Sequence, residues 1–169
     1  MLDVSNVPDL DAPGLLERLD AAGVRYIVIG GVAAVMLGSP SLTGDLDICY
    51  ARDRPNLDAL AGVLVELHAQ LRGADPNLPF RLDARTLAAG DSFTFTTDLG
   101  DFDILAMPSG TTGYDDLIRS AEPLEIGGRA VQVASVDDLI RMKLAAGRPK
   151  DRIEVEILGA LREELAEYG

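Results

Sequence analysis

Two short segments constrain this chain more than any others: Asp45-Leu46-Asp47-Ile48 and Asp101-Phe102-Asp103-Ile104. Each alternates an acid with a bulky apolar residue, the period-2 pattern of a strand with one buried face. In an extended segment Asp45 and Asp47 point to one side, and Leu46 and Ile48 to the other. The second segment repeats the design with Asp101 and Asp103. Carboxylates this close repel unless a proton, a cation or water lies between them. Hard divalent cations such as Mg²⁺ prefer carboxylate, water and phosphate oxygens, so these acids are candidate metal ligands.

The segment upstream of the first pair sharpens that reading. Residues 24–30, Val-Arg-Tyr-Ile-Val-Ile-Gly, are β-branched and apolar and predict a buried strand. Gly30-Gly31 then leads into a predicted helix over 31–38. A helix start presents unpaired N–H groups, and glycine lets a phosphate approach the backbone. Alone, such a turn is as often a plain tight corner; followed by Asp45 and Asp47 it gains weight.

The remaining pattern interleaves helices and strands. Helices are predicted over 12–23, with Gly23 as a stop, and over 54–72, with Pro55 in the first turn. Residues 80–83 read as a brief strand. Residues 92–108 read as two strands around a turn at Asp98-Leu99-Gly100, and 122–135 as a hairpin pivoting on Gly127-Gly128. Ser135 can cap a helix that Gly147 ends, with Asp138 at the capping-box position. An amphipathic helix closes the chain over 150–169. The expected fold class is α/β (α+β), a mixed sheet with helices packed on it, as a single domain over 1–169.

Composition limits location and partners. Hydrophobic residues make up 47% of the 169, enough for a packed core. No apolar run reaches the roughly 18 to 20 residues that cross a bilayer. The N-terminal stretch is acidic and lacks the basic-then-apolar order of a signal peptide. The single Cys49 reads as a small core residue and fits a reducing cytoplasm. A cytoplasmic protein without membrane contact is expected. The net charge of −13 repels nucleic acid at long range. An RNA partner would need a local basic patch, for which Arg141, Lys143, Arg148, Lys150 and Arg152 are the candidates. His68, on the predicted helix beside Leu67 and Leu71, lacks a second His or a Cys and reads as structural.

A strand, Gly30-Gly31, a helix, a loop and then Asp45-Leu46-Asp47 resembles the signature of the polymerase-β-like nucleotidyltransferase superfamily. Residues 135–158 are similar to the end of small stand-alone nucleotidyltransferases of the AbiEii/MenA-like toxin group, where Lys143, Arg148 and Asp151 match a Lys and an R-x-K-D segment. The resemblance implies transfer of a nucleoside monophosphate from an NTP to a hydroxyl, with two Mg²⁺ ions when NTP is bound. It implies that Asp45 and Asp47 hold the metal on the triphosphate. Asp103, with Asp101 as fallback, would share the second metal and help deprotonate the acceptor. Gly30, Gly31, Lys143, Arg148 and Asp151 would form the nucleotide-binding set. The implied acceptor is an RNA end, such as the 3′ end of tRNA, with an antitoxin protein as partner. Two alternatives stay open: a small hydroxylated acceptor, as in lincosamide and aminoglycoside nucleotidyltransferases, and a non-catalytic nucleotide-binding module. The chain departs from the pattern at Gly31, where Ser is common, and at Ser41, where relatives often carry Arg.

Overall fold

The computed structural model describes residues 8–168; the expectations for segment 1–7 and for Gly169 lie outside them. Helix α1 (Ala12–Ala21) leads to β1 (Tyr26–Ile29), which passes directly into α2 (Gly30–Met36). Then come β2 (Asp45–Tyr50), α3 (Arg54–Glu66), β3 (Gln70–Leu71), α4 (Ala84–Ala89), β4 (Ser92–Thr97) and β5 (Gly100–Leu105). The chain continues through α5 (Tyr114–Leu117), the hairpin β6 (Glu122–Ile126) and β7 (Arg129–Val133), then α6 (Val136–Ala146) and α7 (Asp151–Tyr168).

The strands form one seven-stranded sheet in the order β3-β4-β5-β2-β1-β7-β6. The sheet is mixed, as the interleaved pattern implies: β2 runs parallel to β5 and antiparallel to β1, and β1 is parallel to β7. Leu46, Ile48, Phe102 and Ile104 are fully buried and join the leucines of α1 and α3 in one apolar cluster. Burying each such side chain stabilises the fold by roughly 1.5–3 kcal/mol. A one-residue slip of β2 against β5 would carry the aspartates into that core, so the apolar positions lock the register that aligns the acids.

Several boundaries differ from the sequence expectation. The predicted helix over 54–72 ends at Glu66, and His68 adopts a left-handed backbone (φ 53°) in the turn that follows. His68 is exposed, with Nδ1 2.6 Å from Asp98, rather than on a helix face. Residues 70–71 become the edge strand β3 because they pair with β4. Residues 80–83 are irregular, and Asp83 caps α4 by accepting from the Thr86 N–H. Two caps follow expectation: Ser135 accepts from the Asp138 N–H, and Gly147 ends α6 at φ 63°. Among the described residues no helix is long and apolar enough to cross a membrane.

Candidate active site

The parallel pairing of β2 with β5 sets Asp45 beside Asp101 and Asp47 beside Asp103. From this ladder, Asp45, Asp47 and Asp103 bring carboxylate oxygens within 4.8 Å of one another. The side chain of Asp103 is 15% exposed and that of Asp101 28%. Of the two acids on β5, Asp103 joins the cluster, and the more exposed Asp101 lies next to it.

Gly30 explains how Asp47 fits. Its φ of 68° is left-handed, and a Cβ there would lie 2.1 Å from Asp47 Oδ2. Only glycine lets the β1–α2 corner close against that carboxylate. A Cβ on Gly31 would sit 2.6 Å from Thr43 Oγ1, so Thr43 fills the space a serine stem would need. The Thr43 hydroxyl donates to the carbonyl of Asp45 at 3.1 Å, which ties the α2–β2 loop to the start of the acidic strand.

Burial, then the charges of Asp45 and Asp103, push the Asp47 carboxyl up to about 8, with Lys143 pulling the other way. Burial also raises Asp103, although a hydrogen bond from Arg72 opposes the rise. Like-charged carboxylates held this close keep a proton unless a cation replaces it. Three oxygen donors of this kind fit a hard divalent cation such as Mg²⁺.

A cleft of about 570 Å³ opens over these acids. Gly30, Gly31, Ser41 and Thr43 line it, as do Lys143, Arg148, Lys150 and Asp151. Asp151 is buried (2% exposed) at the start of α7. It accepts from Arg148 Nε at 2.9 Å and from the Arg148 backbone N–H at 3.1 Å, and lies 3.5 Å from Lys143 Nζ. The hydrogen bond from Arg148 leads the effects that hold its carboxyl down to about 2. Asp151 thus fixes two cations on the cleft wall. Arg141, from the same basic cluster, pairs with Asp116 at 3.1 Å and Asp138 at 3.2 Å. It does not line the cleft.

Arg72 is the cation that sequence reading missed. It follows β3 and donates through Nη2 to Asp103 Oδ1 at 2.7 Å and to the Phe95 carbonyl at 2.8 Å. Its link to the acids exists only through strand pairing, and in the sequence it fell at the end of a predicted helix.

No protein-family model matches the sequence, and no curated protein matches it significantly. Solved structures do match. The lincosamide antibiotic adenylyltransferase LnuA, with lincomycin bound, superposes with a TM-score of 0.59 at 14% identity, over 90% of this chain and 99% of that one. A Thermotoga maritima protein provisionally classed as a nucleotidyltransferase gives 0.53 at 19% identity, over 91% and 89%. The antibiotic-resistance factor ANT(2″)-Ia gives 0.52 at 15% identity, over 91% and 88%.

The chain has the nucleotidyltransferase fold.

Within that fold its two departures have local explanations. At Gly31 the space that a side chain would enter is taken by the Thr43 side chain. Ser41, in place of an arginine, lines the cleft and joins Ser39 through a hydrogen bond of 3.1 Å between their hydroxyls.

Proposed function

We propose that this protein transfers a nucleoside monophosphate from an NTP to a hydroxyl acceptor. The observation that carries the reading is the convergence of Asp45, Asp47 and Asp103 in a cleft that also holds Lys143, Arg148 and Lys150. Divalent cations held by the three carboxylates would neutralise the triphosphate and activate the attacking oxygen. The chain's own groups do the rest. Lys143 and Arg148, fixed by Asp151, orient the phosphates. Asp103 accepts the proton of the acceptor hydroxyl. The hydroxyl oxygen then bonds to the α-phosphorus, the bond from that phosphorus to the β-phosphate oxygen breaks, and pyrophosphate leaves with the electron pair.

The sequence resemblance favours an RNA 3′ end as acceptor, which would make the chain the toxin of a toxin–antitoxin pair. A specific observation supports a small hydroxylated acceptor as the second reading. Arg141, Lys143 and Arg148, three of the five basic-cluster residues, are already paired with aspartates. Lys143 and Arg148 line the cleft where the triphosphate would lie, so little positive charge is left on a chain of −13 for the longer backbone of an RNA. LnuA, which shares the fold, was solved with a small molecule bound.

The test incubates the protein with each α-labelled NTP and Mg²⁺, plus total RNA or a panel of aminoglycosides and lincosamides. Label on RNA 3′ ends supports the toxin reading, and label on a small molecule supports the second. NTP binding without transfer to either makes the protein a nucleotide-binding module. Lys143→Ala should weaken NTP binding by about 1.5–3 kcal/mol by calorimetry, the scale of a hydrogen bond to a charged group. Unchanged affinity removes Lys143 from the phosphate site.

A further inference from the structure

We propose that Arg72 is the positioning residue of the third carboxylate: it holds Asp103 in one orientation and offsets its charge. This rests on the nucleotidyl-transfer reading of the site and assigns a residue to it. The backbone of Arg72 is fixed first, its N–H donating to the Thr94 carbonyl at 2.9 Å, and Thr94 is the register partner of Asp103 on β4. Its side chain then makes two hydrogen bonds and one longer ion-pair contact. Nη2 reaches both Asp103 Oδ1 (2.7 Å) and the Phe95 carbonyl (2.8 Å), and Nε lies 3.5 Å from Asp101 Oδ2.

Among the described residues, Arg72 is the one basic side chain that donates a hydrogen bond to the Asp103 carboxylate, and no basic side chain or backbone N–H donates to those of Asp45 and Asp47. Asp103 is thus the one acid of the three whose rotation is restricted by a basic side chain. With Oδ1 engaged, Asp103 meets a metal or a proton chiefly through its other oxygen. A guanidinium fork can make these contacts together, whereas a lysine ammonium acts as a single point charge.

The test compares Arg72→Gln, Arg72→Lys, Asp103→Asn and the Arg72→Gln/Asp103→Asn pair. The first readout needs no turnover: Mn²⁺ binding to the nucleotide-free protein, followed by electron paramagnetic resonance. Removing Arg72 frees Asp103 Oδ1 and subtracts a positive charge beside the cluster. Arg72→Gln should therefore bind Mn²⁺ about three- to tenfold tighter than wild type, a gain that shrinks to the charge effect alone when Asp103 is Asn. Unchanged or weaker Mn²⁺ binding overturns the proposal, whatever the protein transfers. The second readout is transfer. In Arg72→Gln kcat should fall by about 30- to 300-fold with KM for NTP within about threefold, and Arg72→Lys should recover less than a tenth of wild-type kcat. Added to Asp103→Asn, Arg72→Gln should slow the reaction no further. A scaffold role would instead lower the melting temperature, weaken Mn²⁺ binding and add to the Asp103→Asn loss. Those results would sink the assignment. Failure of the wild type to label any acceptor would count against the transferase reading and leave the Mn²⁺ result to decide Arg72.

Discussion

The segments Asp45-Leu46-Asp47 and Asp101-Phe102-Asp103 share one pattern, lie side by side in parallel register, and end in different electrostatic settings. The first pair lies near the glycine corner: Gly30 is pressed against Asp47, Lys143 is the opposing charge felt by Asp47, and among the described residues no basic side chain or backbone N–H donates a hydrogen bond to either carboxylate. The second pair lies beside Arg72, which bonds Asp103 and approaches Asp101. Alternation decides which way a side chain faces; the neighbouring strand or corner decides what that side chain can do there. The β2 pair is under-compensated and suited to a cation, while the β5 pair is partly neutralised and oriented.

The comparison breaks most sharply at Asp47. Asp47→Asn should abolish transfer while the metal-free fold holds its melting temperature or gains, because the change removes repulsion along with a ligand. Turnover near the wild-type rate would end the metal-site reading.

Much of this was legible in the sequence. Period-2 alternation gives the facing of both acid pairs, and the apolar run into Gly30-Gly31 gives the corner beside them. Ser135 and Gly147 bound α6 because capping chemistry is local. Arg72 was not legible. Leu67, Leu71 and the residues before them keep helical spacing, so nothing local shows that the helix stops at Glu66 and that residues 70–71 pair with β4. Asp151 was legible as part of a motif but not as a buried anchor for Lys143 and Arg148, since burial of an acid follows from packing around it. Local rules carried the strands and caps, and residues whose role depends on a distant partner stayed hidden.

The corner gives the next effect in size. Gly30→Ala places a methyl group 2.1 Å from Asp47 Oδ2 at a φ of 68°. Strain at such a backbone position is worth about 1–3 kcal/mol, readable as a shift in denaturant midpoint, and the displaced Asp47 should also weaken Mg²⁺ binding. A variant with unchanged stability and metal affinity would show that the corner does not set the position of Asp47.

Acidity offers a way to separate the pairs without mutation. The Asp47 carboxyl sits at about 8 in the folded, metal-free protein and near 4 when unfolded, so between those values the folded state holds the extra proton. Stability should therefore fall as pH rises through that window. On the proposed metal-site reading Mg²⁺ takes the place of this proton and should stabilise more at pH 8 than at pH 5. At a hundred times its dissociation constant the ion adds about 2.7 kcal/mol, roughly 5–10 °C for a chain of this size. Melting curves with Mg²⁺ and with chelator at the two pH values test this. Equal shifts at both would mean that Asp47 does not exchange a proton for the metal.

The smallest expected effect is the most specific to the comparison. Asp101 has the position on β5 that Asp45 has on β2, yet it stays outside the three-carboxylate cluster. Its nearest cationic contact is Arg72 Nε at 3.5 Å, and its Oδ1 is buried without a hydrogen-bond partner. Asp101→Asn keeps the shape and leaves Arg72 its two stronger anchors, the Phe95 carbonyl and Asp103. Partly exposed ion pairs contribute about 0–1 kcal/mol, so stability should move by no more than that. Transfer should slow by less than about threefold, since about 0.7 kcal/mol of barrier corresponds to that factor. Asp103→Asn should slow transfer by at least about a hundredfold more than Asp101→Asn while leaving a residual rate that can be measured. Similar losses in both variants would make Asp101 an equal member of the metal set and dissolve the distinction between the two acids of β5. A tenfold or larger loss confined to kcat, with Arg72→Gln adding nothing to it, would place Asp101 behind Arg72 in the positioning of Asp103.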